Sequence, residues 1–373
     1  MKRFLITLIL ALFVPSLTFA EATVEDYENY LKEYNLGFFE EALSEDSYSL
    51  LEELGVNDFS INSISELTPE KVFNILKKLL VEKINSPLEG LVSIIVFICL
   101  SSFFQSLKSD ESDLNDTFSS VSALVISTVL IVKISPVITI CVSSLGIASN
   151  FMYAFIPVFA AILIASGGVT VSFATNTTLL AISGALSFIA SRLFTPIINC
   201  FLAIGICSGL RHQLNLNRLI GTIKRFLIGA MSLLCSVYVS VVSIKTSVAS
   251  SADRLGIRSA RFAINTVVPV VGGALSEGLL SIQSYSSMIK SSVGAVGIIA
   301  VALVFLPSII EIVLWQIGLR AALVISDIFD DKNISGVLTV FGDTVLLMNV
   351  TLIISMLTTV ISIGILINAG SAV

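Results

Sequence analysis

Covalent or metal chemistry has little to work with in this sequence. The one histidine, His212, sits beside Arg211 in the basic stretch RHQLNLNRLIGTIKR, so Ser-His and His-metal arrangements have almost no material. Five cysteines, Cys99, Cys141, Cys200, Cys207 and Cys235, are odd in number, show no Cys-x-x-Cys pair and all fall in apolar segments, which reads as small packing residues. The VFGD run ending at Asp343 lacks the preceding glycine of a Gly-x-Gly-Asp protease motif, and no phosphate-binding loop of the Gly-x-x-x-x-Gly-Lys type is present. The expectation is a chain that is not an enzyme, holds no metal or cofactor, and has no nucleic-acid surface beyond an ordinary basic loop.

Charge inside apolar sequence is the chemistry that remains. Lys133, Arg192, Glu311 and Arg320 lie within or at the edge of apolar segments, where an ionised group is costly enough to need a reason. The three cations are long enough to snorkel toward an interface or to cap a helix end. Glu311 is shorter; it follows Pro307 by four residues, about one helical turn, and is expected to face the backbone that the proline frees. A second such place is VVPVVGGALSEG, residues 267–278, where Pro269, Gly272, Gly273 and Glu277 interrupt a segment otherwise fit for a membrane helix. Proline removes an amide donor and glycine opens left-handed backbone, so the segment is expected to unwind inside protein or against a water-filled cavity.

The elements that must hold these groups follow from composition. The chain has 373 residues, 55% of them hydrophobic and 13% charged, with a mean hydropathy of +0.96, which fits an all-helical polytopic membrane protein. Residues 1–20 read as a signal peptide: Lys2 and Arg3, an apolar run from Phe4 to Val14, and the ending Thr18-Phe19-Ala20. Residue 21 onward is then outside the cytoplasm. Residues 21–86 carry 15 acidic residues against five lysines and read as a small acidic helical domain. In it Thr68 is placed to cap a helix starting at Pro69, and Val72, Phe73, Leu76, Leu79 and Leu80 make one apolar face. That domain is either a solvated spacer or, through Glu40, Glu41, Glu52 and Glu53, a docking surface for a basic or amphipathic partner.

Membrane spans are expected near 88–106, 119–142, 151–167, 174–192, 195–210, 226–244, 292–325 and 344–368, and 267–282 is apolar enough to enter the bilayer, giving eight or nine crossings. The loop with Arg211, Arg218, Lys224 and Arg225 has no acid and marks the cytoplasmic side. Lys245, Arg254, Arg258 and Arg261 crowd the next connection, where a helix over 252–264 is expected to lie in the interface with its arginines at the headgroups. The chain also resembles itself. FIPVFAAILIASGG, with Pro157, Gly167 and Gly168, matches the stretch around Pro269, while Lys133 matches Lys245 and Pro196 matches Pro307 at nearly the same offset. Two copies are read, 119–230 and 231–343, after a first span and connecting loop over 87–118 and before a final span and C-terminus over 344–373. Paired units with Gly and Pro breaks in corresponding places point to a transporter-like core, with tight packing through small residues as the alternative.

Taken as a set, the IPV, ASGG and Asn176-Thr177 motifs of residues 156–177, VPVVGG at 268–273, VGAVG at 293–297 and Pro307 resemble the stage III sporulation protein AE family of endospore-forming bacteria. The resemblance spans nearly the whole chain. It implies a permease-like component in the mother-cell membrane facing the forespore, within a transenvelope channel complex. The implied partners are other stage III sporulation channel proteins, among them a cytoplasmic secretion-type ATPase and ring-forming proteins of the intermembrane space, with the lipid bilayer around the chain and a homo-oligomer open. Two functions stay in play: the chain conducts or gates passage driven by the partner ATPase, or it is a scaffold that assembles other subunits. A stand-alone secondary transporter is a third, weaker reading. The pathway or hinge candidates are Pro157, Gly167, Gly168, Asn176, Pro269, Gly272, Gly273, Glu277, Pro307 and Glu311.

Overall fold

The computed structural model describes residues 43–56, 67–106, 112–189, 192, 195–210, 216–267, 272–329 and 331–369. Every regular element among them is a helix: α1 (Glu45–Glu53), α2 (Pro69–Lys83), α3 (Asn85–Ser106), α4 (Ser112–Ala165), α5 (Val169–Phe188), α6 (Thr195–Leu210), α7 (Leu216–Val267), α8 (Gly272–Ile328) and α9 (Lys332–Asn368). The expected signal peptide, Glu40, Glu41 and Pro269 lie outside the described residues.

In the acidic segment the side-chain caps fall where local chemistry puts them. Ser44 accepts from the Ser47 amide at 3.3 Å and Thr68 from the Lys71 amide at 3.4 Å, each meeting one of the donors a helix start leaves unpaired. Pro69 opens α2, where its missing N–H costs nothing. The apolar face of α2 is turned from the one expected: Ile75 and Leu79 are buried, while Phe73 and Leu80 are exposed. Leu50, Leu51 and Leu54 are buried with them, and both short helices lie against α8, which selects the buried side. Glu52 is exposed, and Glu53 is already paired with Lys78 at 2.5 Å.

Among the described residues five helices are long and apolar enough to cross a membrane: Pro69–Phe103, Phe118–Ala165, Ile220–Thr266, Ser276–Ile328 and Lys332–Asn368; Val169–Ala185 is a shorter apolar helix. Segments expected to be separate are joined. The spans at 119–142 and 151–167 form the single helix α4, and the span at 226–244 runs unbroken through 252–264 as α7, so no separate interfacial helix forms. Pro136 and Pro157 sit inside α4 and Pro307 inside α8, correcting the expectation that Pro157 and Pro307 break their helices. The physical reason is a comparison of losses. A proline within a helix forfeits one hydrogen bond, whereas ending the helix exposes four amides and four carbonyls that lipid cannot satisfy.

The core is a bundle of α4, α8 and α9. Helix α4 runs antiparallel to α8: Phe159 faces Gly294, Phe155 faces Gly297, and the Ser144 and Ser308 hydroxyls share a buried hydrogen bond of 2.6 Å. Phe151, Phe155 and Phe159, one turn apart, stack with centroids 5.6 and 5.1 Å apart. A Cβ on Gly297 would sit 2.6 Å from the Phe155 ring, and one on Gly294 would overlap Ile367 of α9. The VGAVG motif is therefore a packing notch, made of small residues that let helices approach closely. Helix α7 runs parallel to α9, joined by Lys224–Asp343 at 2.6 Å and by the Cys235–Thr358 and Tyr238–Ser362 contacts at 3.0 Å. On the other side of α8, Gly90 of α3 lies directly on the buried Trp315 ring. Gly90→Ala is expected to cost about 1 to 3 kcal/mol, because a methyl there forces the indole off its rotamer. A thermal unfolding midpoint indistinguishable from that of the parent chain would rule this contact out.

Candidate functional site

The α4–α5 turn is the one place among the described residues where an apolar helix ends at the expected glycine pair and a new one begins at once. Gly167 adopts φ +85°, the left-handed conformation open to glycine, and its amide donates to the Ile164 carbonyl at 3.0 Å while that of Gly168 donates to Leu163 at 2.8 Å. These two bonds satisfy carbonyls at the end of α4 in the Schellman pattern. The turn is wedged: a Cβ on Gly167 would come 2.9 Å from Ile257 of α7 and 3.2 Å from Gln283 of α8.

The start of α5 is satisfied from another helix. Both oxygens of the Asp253 carboxylate, on α7, accept from α5 amides: Oδ1 from Thr170 at 2.8 Å and Oδ2 from Val171 at 2.9 Å. Asp253 is buried at 8% exposure. A negative charge at the positive end of a helix dipole, bonded to two otherwise orphaned donors, is a strong charge-assisted cap. The complementary case lies at the end of α9. There Lys290 of α8, buried at 1% exposure, donates its Nζ to the Ala369 carbonyl at 2.6 Å, placing a cation at the negative end of the dipole. Beyond these two anchors α7 and α8 continue as an antiparallel pair, tied by Arg261 Nε donating to Ser276 Oγ at 3.2 Å. From Lys290 to Gly272 that arm is 18 residues of helix, about 27 Å.

The candidates fall in three groups. Gly167 and Gly168 form the turn, and Asn176 lies two turns along α5, lining a narrow cleft with Phe155, Phe159, Ser172, Thr175 and Ile363. Its Oδ1 is buried with no hydrogen-bond partner. Gly272, Gly273 and Glu277 open α8 at the far end of the arm; Gly273 and Glu277 are exposed, and a Cβ on Gly273 would meet nothing within 4 Å. Pro157 faces outward from α4. Pro307 and Glu311 lie 34 to 38 residues from Gly273 along the same unbroken helix, a separate place from the start of α8. Glu311 is buried, and the Lys83 ammonium of α2 acts on it electrostatically.

Sequence reasoning missed Asp253 and Lys290. The available signal was a lone acid in SSADRLGIRSARF and a lone cation in SSMIKSSVG, each placed where burial leaves a charge in need of a partner.

A family model described as stage III sporulation protein AE matches residues 55–370. The stage III sporulation protein AE of Bacillus subtilis (strain 168) is 21% identical over 240 residues, which covers 64% of this chain and 60% of that relative's length. No solved structure matches.

Proposed function

The chain belongs to the stage III sporulation protein AE family, and on that premise we propose that this sporulation-related membrane protein is the permease-like component of a mother-cell-to-forespore channel complex. On this reading it gates passage that a cytoplasmic partner ATPase drives, with the acidic segment outside the cytoplasm and ring-forming proteins bound there. It performs no catalytic step of its own, since its sequence lacks a nucleotide-binding loop and a paired nucleophile and base.

The observation that carries the reading is a pair of helix ends each held by a buried side-chain charge from a neighbouring helix: the start of α5 by Asp253 of α7, and the end of α9 by Lys290 of α8. Helix ends at membrane depth are where transporters place ion and solute groups, because dipole ends and freed backbone supply the polar contacts. On this reading the carboxylate of Asp253, which caps α5, holds the position that an anionic solute group takes when the gate opens. The scaffold reading has its own support in the Gly294–Gly297 notch, filled by Phe155 and Ile367.

Solute flux decides between them. The intact complex, purified with its subunits identified and counted, is placed in vesicles with and without this chain, and Asn176→Cys is probed with small aqueous thiol reagents. Conduction predicts flux only with the chain present and labelling of the cysteine only while the ATPase turns over. Flux that is the same without the chain, or a cysteine that never reacts, leaves the scaffold.

A further inference from the structure

Of the five long apolar helices α7 is the least covered by the rest of the chain. Its uncovered side is ordered. Leu234, Val241, Val248, Leu255 and Phe262 recur at strict seven-residue spacing, and all are between 41% and 73% exposed. Val237 and Ile244, three residues after the first two, are exposed as well. Lipid asks only that a face be apolar, whereas a partner helix asks for a 3.5-residue repeat, so that each side chain meets the same neighbour turn after turn.

From these positions we infer that the face from Leu234 to Leu255 is a seam for the α7 of a second copy of this chain. Two copies inserted the same way into a membrane are related by an axis along its normal, so equivalent helices pair in parallel and each seam residue meets its own counterpart. The chemistry allows this pairing. Between Leu234 and Leu255 the inward positions are Leu234, Val237, Val241, Ile244, Val248, Ser251 and Leu255, with no charge among them. The flanking pairs of a parallel seam, Ser240 with Lys245 and Ser247 with Ala252, set no like charges against each other. Small side chains at Ser240, Ser247 and Ser251 allow close approach, which is what drives helix association in lipid. The Ser240 hydroxyl donates to Ser236 at 2.8 Å and that of Ser251 to Ser247 at 2.9 Å, so pairing strands neither donor. Arg258, the next inward position, would oppose its own copy and ends the seam. The paired length is about 32 Å; it begins within the apolar stretch 226–244 and runs on past Lys245.

The test uses the full chain, purified alone in nanodiscs, with a photoreactive benzophenone side chain placed at Val241, Val248 or Ser243. Ser243 is exposed on α7 but faces away from the seam. Irradiation is expected to join two copies from positions 241 and 248 and not from 243, and particle mass is expected to show two chains per disc. One chain per disc, or equal cross-linking from 243, overturns the proposal in favour of a lipid-facing helix. If the two-chain particle forms but cross-links only through 243, the copies meet elsewhere and the seam is also overturned.

Discussion

Asp253→Ala is expected to be among the more damaging single changes in the chain, costing about 2 to 4 kcal/mol. The carboxylate is buried between α5 and α7 beside the wedged Gly167 turn, with its bond to the Val171 amide buried and that to the Thr170 amide part-buried. Two amides, one buried and one part-buried, would lose a charged acceptor together, and the start of α5 would lose its compensating charge. Asp253→Asn keeps one oxygen for one amide and is expected to lose roughly half as much. Lys290→Met separates charge from bulk: the stem is kept, one carbonyl at a helix end is freed, and the loss is expected to be smaller than for Asp253→Ala. Abundance in the membrane and the thermal midpoint of the solubilised chain measure all three. If Asp253→Ala matches the parent chain in both, the cap does not hold the α4–α5 turn, and the gating reading loses its anchor.

The legible part of this protein is the part fixed by local chemistry. Thr68 and Pro69 announce the start of α2, and α6 occupies the expected 195–210, because capping and turn preferences act within a few residues. The glycine pair at 167 and 168 announces a true helix end for the same reason. In α3, α4, α5, α8 and α9 the sequence is apolar on most sides of the helix, so periodicity there carries little information about which face is buried or where the helix stops. Pro157 and Pro307 misled because a break was judged by what proline removes, without weighing what ending a helix removes in lipid. Asp253 and Lys290 were hidden for a different reason. Their partners lie 82 and 79 residues away, and backbone amides and carbonyls leave no mark in a sequence.

The widest separation between readings comes from two leucines. Gly297→Leu is expected to lower abundance and partner assembly together, because its Cβ already falls 2.6 Å from the Phe155 ring and a longer chain must push α8 off α4 in the centre of the bundle. Overpacking of that kind costs about 1 to 3 kcal/mol and more where backbone must move. Gly273→Leu is the contrast. Gly273 is exposed on the first turn of α8, its Cβ direction is open to 4 Å, and leucine favours helix over glycine by about 1 kcal/mol or less. This variant is expected to insert and assemble like the parent chain. Any loss of heat-resistant spores that it shows at normal abundance must then arise in what the exposed arm does, not in how the protein is packed. The gating reading expects such a loss, with Glu311→Gln milder. A Gly273→Leu strain that sporulates normally would take the arm out of the pathway and leave the packed bundle, with its filled glycine notch, as a scaffold.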